Sequence, residues 1–261
     1  MSVRNVAVLG GGSFGTVIAN IIAQNGHNTL LWMRDADQVE LLNRDRENLT
    51  YLPGFTLHDK IKAIQDLAAA VQDADLVFVA VPSASFRDVV SQMRPFVKEG
   101  VILVSLTKGI EAKTFKLMSQ ILSEEIPNSK VAVVSGPNLA KEIADGSPTA
   151  AVVASTIAEV RTEVQEVLRS ATFRVYANDD MFGVELGGSL KNIYAIMAGL
   201  ADAMGMGHNT NSMLVTRSLT EMARFGLALG ADPMTFLGLS GVGDLIVTCS
   251  TPLSTNFRVG S

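Results

Sequence analysis

The amino-acid sequence predicts an α/β protein with a doubly wound, mostly parallel sheet followed by an all-helical domain. Through the first two thirds of the chain, short β-branched apolar runs alternate with segments of helix length. Such runs are typical of parallel strands that helices cover on both faces. Beyond residue 178 these runs stop, and Leu, Met, Ala and Gly recur at helical spacing.

The predicted strands follow one another along the first part of the chain. They are 3–9, 28–33, 76–81, 101–105, 131–134, 150–154 and 173–176. The segments between them are long enough for the crossover helices that parallel strands need. We therefore expect a first domain over 1–178.

The second domain, 179–261, is predicted to be helical. Its expected helices are 184–204, 211–229 and 234–237. The chain ends at Ser261 in what reads as a helix, so we expect this domain to be incomplete at its C-terminus.

Composition narrows the class of function. With 48% hydrophobic and 18% charged residues the chain is predicted to be globular. A net charge of −5 and the absence of a basic run argue against a nucleic-acid partner.

The single cysteine, Cys249, forms no intramolecular disulfide, and with three scattered histidines it offers no zinc-ligand spacing. Polar residues and glycines interrupt the uncharged segment 5–33. We expect a cytoplasmic protein without a bound metal, signal peptide or membrane span.

Gly10, Gly12 and Gly15 form a G-x-G-x-x-G pattern after the first predicted strand and at the head of a helix predicted over 16–24. In a Rossmann-type domain the first glycine permits a tight turn and the second lets the backbone approach a pyrophosphate. The third allows close packing of helix on strand. The pattern predicts NAD or NADP binding, and a glycine-rich turn without a ligand is the alternative.

The end of the second predicted strand bears on the choice between the two dinucleotides. Asp35 is suited to accept a hydrogen bond from a ribose 2′-hydroxyl, whereas Arg34 is suited to pair with a 2′-phosphate. Because Arg34 follows the strand directly, NADP is slightly favoured. Alternatively, either residue is simply a charged side chain in a solvated turn and has no ligand.

Two loops follow predicted strands at the sheet edge where ligands bind in open α/β folds. Lys108 follows strand 101–105, and the loop 135–138, which includes Gly136 and Asn138, follows strand 131–134. A lysine in a loop is usually solvated, but two such loops together favour a site.

Lys191 lies in a helix weakened by the adjacent glycines Gly187 and Gly188. A helical side chain covers the turn before its own Cα, so we expect the glycines to leave room for a ligand beneath Lys191. Partial desolvation would lower the lysine pKa toward a value useful for proton transfer. Close helix packing with a snorkelling lysine is the alternative.

Asp244 and Thr248 share one face if the segment that contains them is helical. Asp244 is then placed to hold Lys191 or a hydroxyl group. The alternative is that Asp244 has no role in a site and is favoured only because its negative charge lies at the positive N-terminal end of a helix dipole.

With these motifs the chain resembles the bacterial-type NAD(P)-dependent glycerol-3-phosphate dehydrogenases. The resemblance covers essentially the whole chain. It is found, in family order, in 10–15, 51–53, 107–109, 135–138, 185–192, 241–248 and 254–260.

The resemblance implies that sn-glycerol 3-phosphate and dihydroxyacetone phosphate are interconverted by hydride transfer with NAD(P), supplying glycerophospholipid synthesis, with Lys191 as proton acceptor. It implies a homodimer. The substrate residues it implies are Lys108, Gly136, Asn138, Lys191, Asn192, Asp244, Thr248, Ser254, Thr255 and Asn256. The cofactor residues are Gly10, Gly12, Ser13, Phe14, Gly15, Arg34, Lys108, Ala140 and Thr255.

Two departures from the family pattern affect the expected activity. Thr255 stands where the family places an arginine, so a bidentate, permanently charged phosphate donor is lost. The family also continues for tens of residues beyond the position of Ser261. These departures motivate a second hypothesis, a dinucleotide-binding module with little turnover.

A third hypothesis is a β-hydroxyacid dehydrogenase or ketopantoate reductase, which share this layout. Those enzymes place an asparagine four residues after the lysine. Ala195 occupies that position here, which argues against both.

Overall fold

A computed structural model describes residues 2–261. The strands are β1 (Asn5–Leu9), β2 (Asn28–Trp32), β3 (Glu47–Asn48), β4 (Leu52–Thr56), β5 (Ile61–Ile64), β6 (Leu76–Val79), β7 (Ile102–Ser105), β8 (Lys130–Ser135), β9 (Thr149–Ala154) and β10 (Phe173–Asn178). The helices are α1 (Ser13–Gln24), α2 (Ala36–Asp45), α3 (Leu67–Val71), α4 (Ser83–Met93), α5 (Met118–Glu125), α6 (Ala140–Ala144), α7 (Ala158–Leu168), α8 (Met181–Ala203), α9 (His208–Ala228), α10 (Asp244–Cys249) and α11 (Thr255–Gly260). A 3₁₀ helix, Pro233–Leu237, and a π turn, Leu239–Gly243, lie between α9 and α10.

Eight strands form one sheet in the order β10-β9-β8-β7-β6-β1-β2-β5. All neighbours pair in parallel except β8 and β9, which are antiparallel. The predicted doubly wound, mostly parallel sheet is confirmed, and each of the seven predicted strands is present. Three short strands were missed: β5 at the sheet edge, and β3 with β4, which form a separate antiparallel pair.

Helices on both faces of the sheet explain why its strands are apolar without alternation. Along β1, Val6 and Val8 belong to one buried cluster, and Ala7 and Leu9 to the cluster on the opposite face. Successive side chains of a strand point to opposite faces, so a strand covered on both sides needs an apolar residue at every position.

The last strand ends at Asn178, and the chain is helical from Met181 onward, as predicted. A third buried cluster, which includes Met222, Phe236 and Leu245, holds this helical part together. The predicted segment 234–237 forms a 3₁₀ helix instead of an α-helix. The division of the chain into two domains at residue 178 stays a prediction.

Within residues 2–261 no helix combines the length and the apolar character needed to cross a membrane. The same residues contain no group of three or more His, Cys, Asp or Glu side chains placed to hold a metal ion.

We predict that Gly15→Ala destabilises the protein. A Cβ at this position would collide with the Gly10 carbonyl oxygen, so α1 and the turn after β1 must move apart. Alanine favours a helix by about 1 kcal/mol, but overpacking against backbone costs about 1–3 kcal/mol. Urea unfolding measures the change. Gly207→Ala is the control because a Cβ there meets no atom within 4 Å, and equal effects in the two variants would contradict the prediction.

Candidate active site

A cavity of about 850 Å³ opens at the carboxyl ends of β1, β2, β6 and β7. Among the predicted cofactor residues it is lined by Gly10, Gly12, Phe14, Arg34 and Lys108. Ser13, Gly15, Ala140 and Thr255 lie outside this lining. Trp32 and Gln38 also line the cavity, although neither was predicted as a site residue.

The glycine loop has the geometry that dinucleotide binding requires. Gly10 has a φ of +117°, and a Cβ there would lie 2.6 Å from the Ala80 carbonyl oxygen. Gly12 precedes α1, and a Cβ at Gly12 would meet no protein atom within 4 Å. Its surroundings are therefore open space beside a helix N-terminus, whose first N–H groups lack intrahelical acceptors. The residues present fit a bound pyrophosphate.

Two predicted residues of this loop have other contacts. The Ser13 hydroxyl donates to the carbonyl oxygen of Tyr51 at 2.5 Å. Gly15 is buried in α1, where it permits the close packing predicted for it.

The charges after β2 differ in what they contact. The Asp35 Oδ1 accepts hydrogen bonds from the backbone nitrogens of Asp37 at 2.9 Å and Gln38 at 3.2 Å, and so caps α2. Arg34 is exposed and lines the cavity. One carboxylate oxygen of Asp35 is therefore engaged by its own helix, whereas the guanidinium stands at the cavity wall.

Beyond the cavity, one buried carboxylate joins the two predicted lysines. Asp244 is fully buried, and its Oδ1 lies 2.5 Å from the Lys191 Nζ. Its Oδ2 lies 2.5 Å from the Lys108 Nζ. The prediction that Asp244 holds Lys191 is confirmed, and Lys108 reaches the same carboxylate from the other side of the site.

Thr248 completes this cluster. Asp244 begins α10, so Thr248 lies one turn later on the same face, as predicted. Its hydroxyl donates to the Asp244 carbonyl oxygen at 2.6 Å and accepts from the Lys191 Nζ at 2.5 Å. Helix geometry thus gives Lys191 two fixed acceptors.

The surroundings of Lys191 lower the pKa of its ammonium group to about 8. Burial is the largest cause, since the side chain is almost inaccessible to water, and the positive charge of Lys108 acts in the same direction. Asp244 opposes both effects. A lysine with this pKa exchanges a proton near neutral pH far more readily than a solvated one.

The adjacent glycines of α8 have a different role from the one predicted. A Cβ on Gly187 would lie 2.8 Å from the Ser240 carbonyl oxygen, and a Cβ on Gly188 2.6 Å from the Ser135 Oγ. The side chain of Lys108 passes 3.6 Å from the same point of Gly188. The expectation that these glycines leave room for a ligand is wrong, because protein atoms fill that space and pack the helix closely.

The loop after β8 brings unsatisfied polar groups to the cluster. The Gly136 carbonyl oxygen accepts from the Lys108 Nζ at 3.0 Å. Both amide atoms of Asn138 and the Ser135 Oγ are buried without a hydrogen-bond partner within residues 2–261. Buried polar groups are nearly always paired, and the Ser135 Oγ and the Lys108 side chain both approach Gly188, so these unpaired groups indicate a place for a polar ligand. Ser135 was not predicted as a site residue.

Four of the remaining predicted residues lie on α8 or at the start of α11. The Asn256 Nδ2 donates to the Asn192 Oδ1 at 2.7 Å, which joins the two helices. The Ser254 hydroxyl caps α11 by accepting from the Phe257 nitrogen at 3.3 Å. Thr255 is exposed, and its Oγ1 lies 3.5 Å from the Arg258 Nη2. Ala140 begins α6.

The sequence of this chain is similar to the sequences of known glycerol-3-phosphate dehydrogenases. Residues 5–161 match the family model described as NAD-dependent glycerol-3-phosphate dehydrogenase N-terminus, and residues 180–261 match the corresponding C-terminus model. A glycerol-3-phosphate dehydrogenase [NAD(P)+] of Ectopseudomonas mendocina is 58% identical over 255 residues, which are 98% of this chain and 75% of that protein. One from Pseudomonas entomophila is 59% identical, covering 98% and 74% respectively.

A solved structure is similar over nearly the whole chain. The crystal structure of a glycerol-3-phosphate dehydrogenase from Coxiella burnetii superposes with a TM-score of 0.95 at 38% identity, covering 99% of this chain and 79% of that one. The two family models together match most of the sequence. The chain therefore belongs to the NAD-dependent glycerol-3-phosphate dehydrogenase family.

Proposed function

We propose that this protein interconverts sn-glycerol 3-phosphate and dihydroxyacetone phosphate with NAD(P), and that it supplies glycerophospholipid synthesis. The observation that carries the proposal is the cluster of Lys108, Lys191 and Asp244 beside the dinucleotide cavity. Lys108 belongs to both, since it lines the cavity and contacts Asp244. A substrate held at this cluster lies next to a cofactor held in the cavity.

The glycine loop is assigned to the cofactor. Gly10, Gly12 and the N-terminus of α1 would hold the pyrophosphate, and Phe14 would line its cleft. When bound, NAD(P) supplies the nicotinamide that accepts or donates the hydride. We assign the 2′-phosphate of NADP to Arg34, and the commitment of one Asp35 oxygen to the α2 cap supports a preference for NADP.

Lys191 is assigned to proton transfer at the substrate oxygen. In dihydroxyacetone phosphate reduction the ammonium form donates a proton to the carbonyl oxygen, and in glycerol 3-phosphate oxidation the amine form accepts the hydroxyl proton. Asp244 and Thr248 fix the position of the Nζ through their oxygens.

The substrate is assigned to the polar groups around this lysine. Lys108 supplies a positive charge for the phosphate, and the unpaired amide of Asn138 supplies both a donor and an acceptor. Gly136, Asn192, Ser254, Thr255 and Asn256 are the other groups that we place around the substrate. Thr255, which stands where the family has its arginine, accepts from the Arg258 Nη2 at 3.5 Å, so a guanidinium lies beside that position.

We also propose that the protein is cytoplasmic and forms a homodimer. Exposed apolar side chains of α8 and α9 support self-association. They include Ile193, Met197, Leu200 and Met213.

The assigned role of Lys191 predicts opposite pH dependences for the two directions. Because the ammonium form is the acid, kcat/KM for dihydroxyacetone phosphate reduction should fall as pH rises through about 8. Because the amine form is the base, kcat/KM for glycerol 3-phosphate oxidation should rise over the same interval. NADPH absorbance at pH 6–10 measures both, and profiles that are flat near pH 8 in both directions would contradict the role.

The control for this measurement is Lys191→Met, which keeps the length of the side chain and removes the titrating group. It should lower the turnover rate by a factor of about 10² to 10⁴ and leave the affinity for NADPH nearly unchanged.

Parallel assays with NADH test the preference for NADP. Tight NADPH binding by the parent with no turnover would instead support a dinucleotide-binding module.

We predict that Gly12→Val abolishes dinucleotide binding without unfolding the protein. A valine side chain would occupy the open space beside the α1 N-terminus where the pyrophosphate is assigned. NADPH fluorescence titration should show a loss of affinity of at least about 100-fold, while thermal unfolding without cofactor stays near the parental value. Parental affinity in this variant would refute the assignment.

A further inference from the structure

Glu185 is a buried acidic residue that the proposed chemistry does not use. It lies on α8, and only 4% of its surface is exposed. Its Oε1 accepts from the Ser119 backbone nitrogen at 3.0 Å, and its Oε2 accepts from the Ser119 hydroxyl at 2.5 Å. Burying a carboxyl group is costly unless its oxygens are hydrogen-bonded, so this arrangement needs an explanation.

Both contacts of Glu185 are at the N-terminus of α5. Ser119 lies in the first turn of that helix, and the N-cap residue, Leu117, has no side-chain oxygen. The Glu185 carboxyl group takes the place of a side-chain cap, although it comes from a different helix. Helix α8 is thereby attached to the start of α5.

A second contact, one turn later on α8, reaches the other end of the same segment. The Ser189 hydroxyl accepts from the Gly109 backbone nitrogen at 3.1 Å. Gly109 directly follows Lys108, so α8 holds both ends of the segment 109–119. The side chain of Arg87 binds Glu111 within this segment at 2.7 Å and 2.9 Å.

This attachment bears on the site because α8 also carries Lys191. The ammonium groups of Lys108 and Lys191 approach opposite oxygens of Asp244, each at 2.5 Å. A shift of the segment against α8 would change the separation of the two ammonium groups. Reaction geometry is sensitive to displacements of about 1 Å.

We propose that Glu185 is a positioning residue, which through Ser119 holds the Lys108 segment in register with Lys191. Glu185 is not among the residues that line the cavity. The proposal rests on the roles proposed above for Lys108 and Lys191.

The test compares Glu185→Gln with Glu185→Leu. A glutamine keeps both contacts, since its carbonyl oxygen accepts from the Ser119 N–H and its amide nitrogen donates to the Ser119 hydroxyl. It should retain kcat/KM for dihydroxyacetone phosphate within about threefold of the parent. Leucine has similar volume but no hydrogen bonds, and should lower kcat/KM roughly ten- to a hundredfold, with the Kd for NADPH within about twofold.

Ser119→Ala examines the same contact from its other side, and remains informative if Glu185→Leu does not fold. It leaves the Glu185 Oε2 without a donor, so a loss of roughly three- to tenfold in kcat/KM is expected. Ser218→Ala, at a buried serine of α9, is the matched control and should keep parental kinetics.

The outcomes separate the proposal from the proposed function. If Glu185→Leu and Ser119→Ala lower the unfolding temperature but keep parental kcat/KM, Glu185 is only structural and the proposal is overturned. Loss of activity in Glu185→Gln equal to that in Glu185→Leu would also overturn it, because the two contacts would then not be the cause. Parental activity in Lys191→Met, by contrast, would overturn the role assigned to Lys191, and a parent protein that does not reduce dihydroxyacetone phosphate would overturn the proposed function itself.

Discussion

The site depends on one buried carboxylate shared by two ammonium groups. Asp244 is fully buried between Lys108 and Lys191, which belong to different parts of the fold. A buried ion pair is stable only when geometry and additional hydrogen bonds offset desolvation, and here Thr248 and Gly136 provide acceptors for the two lysines. Burial and the positive charge of Lys108, opposed by Asp244, lower the pKa of Lys191 to about 8.

The sheet explains why these groups meet. Ligand-binding loops of a parallel sheet gather at the carboxyl ends of its strands, so the glycine loop after β1 and Lys108 after β7 share one edge. Helix α8 then brings Lys191 to this edge. Its glycines allow that approach, because Gly187 packs against the backbone of Ser240 and Gly188 against Ser135. Close packing, and not space for a ligand, is what the paired glycines provide.

The sequence predicted the strands and the lysine site well because both have local patterns. Continuous apolar runs identify doubly covered strands such as β1, and the spacing of Asp244 and Thr248 identifies a helix face.

The sequence did not predict β3, which is two residues long, because so short a strand has no periodicity. It also missed the contact of Glu185 with Ser119, since a pairing between residues 66 positions apart follows from tertiary packing alone. The sequence analysis also did not predict that Asp35 caps α2. Its side chain was expected to contact a ribose or solvent, although an aspartate before a helix is a common N-cap.

Asp244→Asn tests the central claim most directly. Asparagine keeps the shape of the side chain but leaves the ammonium groups of Lys108 and Lys191 without a countercharge, so they repel each other and lose their fixed positions. The measurement is kcat for dihydroxyacetone phosphate reduction at saturating NADPH, with the Kd for NADPH determined on the same preparation. We expect kcat to fall at least about 100-fold while the Kd stays within about twofold, because the glycine loop is untouched. Parental kcat in this variant would show that the shared carboxylate does not organise the site.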